Sequence, residues 1–140
     1  MVHALGEIRR TLKADGILID LRPVSSNWSV EVASSTGYQL AGELNEMPEG
    51  LADDEAAFKA MREVESLRWF IKEKEEEFSF FYYWDTPSEM KDFIETEWEN
   101  FEKLEEDVFQ ETKSLWVSAN ADARIRVRVK MLITRWGKTE

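Results

Sequence analysis

Apolar residues at Leu5, Ile8 and Leu12 recur at three- and four-residue spacing, which predicts a helix over residues 3–13. Asp15-Gly16 closes it, the glycine suiting a left-handed cap. Ile17-Leu18-Ile19-Asp20-Leu21 follows and ends at Arg22-Pro23. A run apolar on both sides predicts a strand covered on both faces, as in the centre of a sheet. Ser25-Ser26-Asn27 breaks the chain. Trp28, Val30 and Val32 then alternate with Ser29 and Glu31. Ser34-Ser35-Thr36-Gly37 has turn chemistry, and alternation resumes over residues 38–44, so residues 28–45 are predicted as a β-hairpin.

Asn45 to Gly50 is expected to be a loop. Beyond it, Ala57, Met61, Val64, Leu67 and Ile71 trace one helical face, predicting a helix from Leu51 to about Glu77. Its end carries Glu75-Glu76-Glu77, an unfavourable charge for a helix C-terminus. Phe78 to Trp84 is an aromatic strand, with Phe78, Phe80, Tyr82 and Trp84 on one face and Phe81 and Tyr83 on the other. Thr86-Pro87-Ser88-Glu89 is a helix start: a capping hydroxyl, a proline at the first position and a glutamate to complete the capping box. Met90, Ile94, Trp98, Phe101, Leu104, Val108 and Leu115 extend an apolar face to about Ser118, with a break expected near Thr112. Arg124 to Trp136 closes the chain as a strand, with Ile125, Val127, Val129, Met131 and Ile133 on one face and Arg124, Arg126, Arg128 and Lys130 on the other. The order α-β-ββ-α-β-α-β predicts a single α+β domain over residues 1–140. A mixed, mostly antiparallel sheet of about five strands packs on two long helices and a short N-terminal one.

Composition narrows the function. With 29 acidic and 18 basic residues the net charge is −11, which counts against nucleic acid as a partner. Cysteine is absent, so disulfides, thiolate metal sites and cysteine nucleophiles are excluded. That absence, and an N-terminus without a secretory apolar core, point to the cytoplasm. No apolar stretch approaches the ~20 residues of a membrane span. His3 is the single histidine, which rules out a His-rich metal site and leaves no Ser-His-Asp or Cys-His arrangement. The carboxylates of residues 87–118 are a solvated helix face, since the Glu-x-x-His pattern of helical di-metal sites is missing. The basic stripe on the last strand is expected to pair with glutamate-rich helices of this or a neighbouring chain.

The stretch HALGEIRRTLKADGILIDLRP resembles the late part of class I S-adenosylmethionine-dependent methyltransferases. There, a helix ending in a Leu-Lys-Pro-Gly-Gly-like turn feeds the fifth strand of a seven-stranded sheet; here the turn reads Lys13-Ala14-Asp15-Gly16. EEFSFFYYWDTPSEM, a long helix and IRVRVKMLITRW are similar to the closing strands of the same fold. The likeness spans most of the chain but only the C-terminal half of the family domain. The family holds its cofactor on the other half, through a glycine-rich turn. None of the six glycines here lie close enough together to form one. The resemblance thus implies no cofactor for this chain alone, and S-adenosylmethionine only if another polypeptide supplies that half. It further implies that the strand Ile17–Leu21 lacks a neighbour, which either the 28–45 hairpin or a second chain must cover.

Three readings follow. The first is a non-catalytic, methyltransferase-derived domain acting through self-association, as a dimer, or through a protein partner. The second is a split methyltransferase. The third is a small-molecule module using Asp20 and Arg22, at the C-terminal end of the first strand where open α/β sheets place ligands, with Tyr83 and Trp84 of the aromatic strand.

Overall fold

Helix α1 (Val2–Thr11) opens the chain in the computed structural model, which describes residues 1–24 and 26–140. The expected break at Ser25-Ser26-Asn27 falls partly on Ser25, outside the described residues. Among the described residues there are four helices and a mostly antiparallel sheet of about five strands, an α+β fold. The chain divides into two compact units. One takes Met1–Val24, Ala52–Phe78 and Met131–Glu140; the other takes Ser25–Leu51 and Ser79–Lys130.

In the first unit, Leu5 of α1 is buried and Arg9 and Arg10 sit in its last turn, where cations favour the helix dipole. Strand β1 (Ile17–Pro23) pairs antiparallel with the second half of β7 (Arg124–Lys138), Ile17 opposite Gly137 and Pro23 opposite Met131. Helix α2 (Pro48–Ser66) brings Ala60, Met61 and Val64 onto a core shared with Leu5, Phe70 and Trp136. Leu12, Leu18 and Trp69 pack around it.

Two expectations are corrected here. Strand β1 is an edge strand with one exposed face, not a central strand covered on both sides. Its run is apolar on both sides, yet only the side carrying Leu18, Asp20 and Arg22 meets helices. Helix α2 also ends at Ser66 instead of running to Glu77. The Trp69 N–H bonds to the Val64 carbonyl and the Arg68 N–H to that of Glu65, with Arg68 at φ 58°. That is a Schellman stop with arginine in the place glycine usually holds. Residues Phe70–Trp84 then form one 15-residue strand, β5, which pairs with β7. Glu75-Glu76-Glu77 therefore lie on a strand, and no helix end is burdened with them.

In the second unit, β2 (Ser29–Ser34) and β3 (Gly37–Glu43) form the expected hairpin, and β2 pairs with the first half of β7. The hairpin thus pairs with β7 and not with β1. Asp122 accepts the Ser35 N–H at 2.9 Å and Asn120 donates to Thr36 Oγ1 at 3.0 Å, bracing the turn. Helix α4 lies so close to β3 that a Cβ on Gly42 would sit 2.8 Å from a Val108 methyl, which requires glycine there.

The predicted helix start at residue 86 is confirmed. Thr86 Oγ1 accepts the Glu89 N–H at 3.2 Å, and Glu89 accepts the Asp85 N–H at 3.1 Å. The helix itself is two: α3 (Pro87–Glu97) and α4 (Glu106–Ser118), interrupted well before Thr112. Between them β6 (Glu102–Lys103) pairs with β4 (Asn45–Glu46), a two-residue ladder that apolar spacing could not register. Val30, Val32, Leu44, Met90, Ile94, Ile125, Val127 and Val129 form the buried core of this unit.

Along β7 the buried side changes. Ile125, Val127 and Val129 are buried, then Leu132, Thr134 and Trp136. Met131 and Ile133 therefore do not continue the buried row of Ile125, Val127 and Val129 as expected.

Candidate functional site

Asp20 and Arg22 point to the helix-covered side of β1, two residues apart and hence on one face. Arg22 Nε donates to Asp20 Oδ1 at 3.1 Å and Nη2 to Oδ2 at 2.5 Å, a fork matched to both carboxylate oxygens. The Arg22 guanidinium also lies over the Phe58 ring of α2, 5.3 Å from its centroid. This explains how a carboxylate sits in the apolar run: the pair is desolvated as one neutral, hydrogen-bonded object.

Beside it, in the same unit, is a cavity of about 130 Å³ between α2 and the sheet. Asp20, Lys72, Glu75, Thr134 and Trp136 form its sheet wall, and Phe58, Met61, Arg62 and Glu65 its helix wall. Thr134 Oγ1 donates to Glu75 at 3.1 Å, Lys72 pairs with Glu75 at 3.2 Å, and the Lys72 ammonium lies over the Trp136 ring.

Tyr83 and Trp84 belong to the second unit, and they face opposite ways. Trp84 joins Tyr82, Phe93 and Trp98, whose ring centroids lie 5.1–6.3 Å apart. Tyr83 lies on the other sheet face, under the Arg124 guanidinium, while its hydroxyl takes an Arg126 N–H at 3.5 Å.

That second face holds the strongest electrostatic feature of the unit. Glu31, only 2% exposed, is opposite Arg126 in the β2–β7 register. It accepts from Arg126 Nε at 2.6 Å, from Arg128 Nε at 3.0 Å and from Ser29 Oγ at 2.8 Å. Both guanidiniums are in turn within 4.5–5.2 Å of the Tyr38 and Phe81 ring centroids. Burial pushes the Glu31 carboxyl up, but the bonds from Arg128, Ser29 and Arg126 and the charge of Arg126 outweigh it. The net direction is down. For Arg126, burial pulls downward, and Tyr83 and Glu31 together carry it above its ordinary value.

The basic stripe therefore pairs with a neighbouring strand and, through Arg124 with Asp85 at 3.1 Å, with the end of β5. It was expected to meet glutamate-rich helices. In the sequence Glu31 is one of the polar positions alternating with Trp28, Val30 and Val32. The usable signal was the register: a hairpin strand beside an Arg-x-Arg-x-Arg strand needs an acid facing it. Phe58 and Trp136 also went unnoticed, since neither stands out from ordinary core residues in the sequence.

The glycines do not supply a cofactor turn. Gly37 closes the hairpin at φ 135°, Gly42 is filled by Val108, Gly50 abuts Phe101 and Gly137 abuts Glu73. Among the described residues no group of three or more His, Asp or Glu is placed to hold a metal, and no helix is long and apolar enough to cross a membrane. No protein-family model, curated protein or solved structure matches the chain.

Proposed function

We propose that this chain is a non-catalytic, methyltransferase-derived domain that works through a protein–protein contact, in the first instance with a second copy of itself. The observation that carries this reading is the uncovered sheet face of the first unit. Ile17, Ile19 and Leu21 of β1 point away from α1 and α2, with Ile19 and Leu21 49% and 55% exposed. Leu21 is opposite Ile133 and Pro23 opposite Met131, so the apolar surface continues onto β7, and Ile71 of β5 is exposed as well. Apolar surface gathered in this way on a sheet marks an interaction site. The edge of β1 adds unpaired backbone groups that another strand can take up.

Light scattering over a range of protein concentrations tests it. The expected result is a mass that rises towards twice 16.4 kDa, and a return to monomer for Ile19→Glu/Leu21→Glu with an unchanged circular dichroism spectrum. A wild-type monomer at every concentration removes self-association and leaves only a different protein as partner. A monomer whose β1 amides resist hydrogen exchange as well as those of β7 removes the contact altogether.

The split-methyltransferase reading draws on the same bare face, since α/β sheets of that family carry helices on both sides. It predicts cofactor binding only after mixing with a polypeptide that carries the cofactor-binding half.

A further inference from the structure

The cavity under α2 in the first unit has unmet hydrogen-bonding capacity of one kind. Trp136 is 3% exposed and lines the cavity, yet its indole N–H has no partner among the protein's own groups. Buried tryptophan N–H groups are normally bonded, because leaving a donor dry costs its full desolvation. Arg22, fixed by Asp20 and stacked on Phe58, both of them cavity residues, also keeps a buried Nη1 without a partner. Lys72, 42% exposed, pairs with Glu75 and can turn its other N–H groups towards a ligand. The oxygens at the site are already engaged: Asp20 by Arg22, and Glu75 by Thr134 and Lys72. An occupant that completes this site must bring acceptor oxygens.

Charge and size limit it further. Asp20, Glu65 and Glu75 balance Arg22, Arg62 and Lys72, so the surroundings are neutral as a set. An occupant with a net charge would meet no net countercharge there. One that carries its own ammonium beside its carboxylate needs none, and Glu65 on the helix wall can receive that ammonium. A volume of about 130 Å³ is well below the ~300 Å³ at which drug-sized pockets begin.

We propose that this cavity is a binding site for a small zwitterionic amino acid, its carboxylate on the Trp136 indole N–H and the Lys72 ammonium and its ammonium towards Glu65. The proposal is independent of the protein–protein contact on the opposite face of the same sheet, and the two stand or fall separately.

Nitrogen-edited proton spectra of the labelled protein carry one indole signal for each of the six tryptophans. Trp136→Phe assigns the relevant one by its loss. Titration with glycine or L-alanine is expected to move the Trp136 signal saturably and leave the other five in place. Acetate and ethylammonium, each offering half the chemistry, are expected to bind roughly tenfold more weakly or worse. Glu65→Gln, a change at an exposed helix position that leaves the core intact, is expected to weaken glycine binding by a similar factor. No saturable movement up to about 50 mM, far beyond the millimolar range of weak specific binding, would mean the cavity holds water only and would overturn the proposal. Acetate binding as tightly as glycine, or Glu65→Gln binding undiminished, would overturn it equally.

Discussion

Glu31 shows how one side chain can decide the character of a whole sheet face. A carboxylate this buried is tolerable only because two guanidiniums and a serine hydroxyl replace its water. The guanidiniums in turn gain the Tyr38 and Phe81 rings as apolar flanks. Glu31→Gln leaves Arg126 and Arg128 facing each other without the charge between them. The expected loss is about 3 kcal/mol at pH 7, the low end for a broken buried pair because Arg128 keeps 35% of its side chain in water. Urea denaturation measures it. The pH dependence has a definite sign. The folded carboxyl titrates below its unfolded value of about 4.3, so Glu31 stabilises fully above that value. Its contribution is lost as pH falls through the lower, folded pKa. The acid limb of the stability profile is expected to flatten in Glu31→Gln, and an unchanged limb would show that Glu31 gains nothing from its arginines.

At the scale of elements, the passage from α2 to β5 is the most instructive stretch. Residues 71–77 read Ile-Lys-Glu-Lys-Glu-Glu-Glu, strong helix formers that continue the face of Met61 and Val64. They form a strand because of what lies across from them. Glu73 meets Arg135 at 2.6 Å, Glu75 meets Thr134, and Lys72 covers Trp136. Cross-strand partners of this kind override propensity, and they are distant in sequence. The helix must first be stopped, and the stop rests on Arg68 in a left-handed conformation that costs a non-glycine residue roughly 1 kcal/mol. Arg68→Gly is therefore expected to raise stability by about 0.5–1 kcal/mol, seen as a higher Tm. A lower Tm would mean that the arginine side chain itself holds the turn. By contrast the start of α3 was fully legible, since Thr86, Pro87 and Glu89 act on backbone groups within a few residues of themselves.

For the molecule as a whole, net charge and surface chemistry pull in opposite directions. At −11, copies of the chain repel one another. The bare face of the first unit carries Ile17, Ile19 and Leu21 beside the Arg135–Glu73 pair, which is internally neutral. Association through it is expected to tighten as salt rises from 0.05 to about 0.5 M, because screening removes the repulsion and leaves apolar burial in place. Sedimentation at the two ionic strengths reads this directly, and weakening with salt would point to ion pairs as the adhesive instead.

The amino-acid sequence alone determined the α+β class, the hairpin at 28–45, the aromatic strand, the cap at Thr86 and the terminal strand. Each is written in periodicity or in capping residues that act locally. It also marked Asp20 beside Arg22 as an oddity in an apolar run. Only the tertiary structure decided that β1 lies at an edge with one face bare, that residues 70–77 are strand, and that Glu31 is buried between arginines nearly a hundred positions away. It alone also placed Trp136 and Phe58 around the Asp20–Arg22 pair. The reason is physical: periodicity records which side of an element is apolar, while pairing, burial of charge and the making of a cavity depend on which distant element arrives to cover that side.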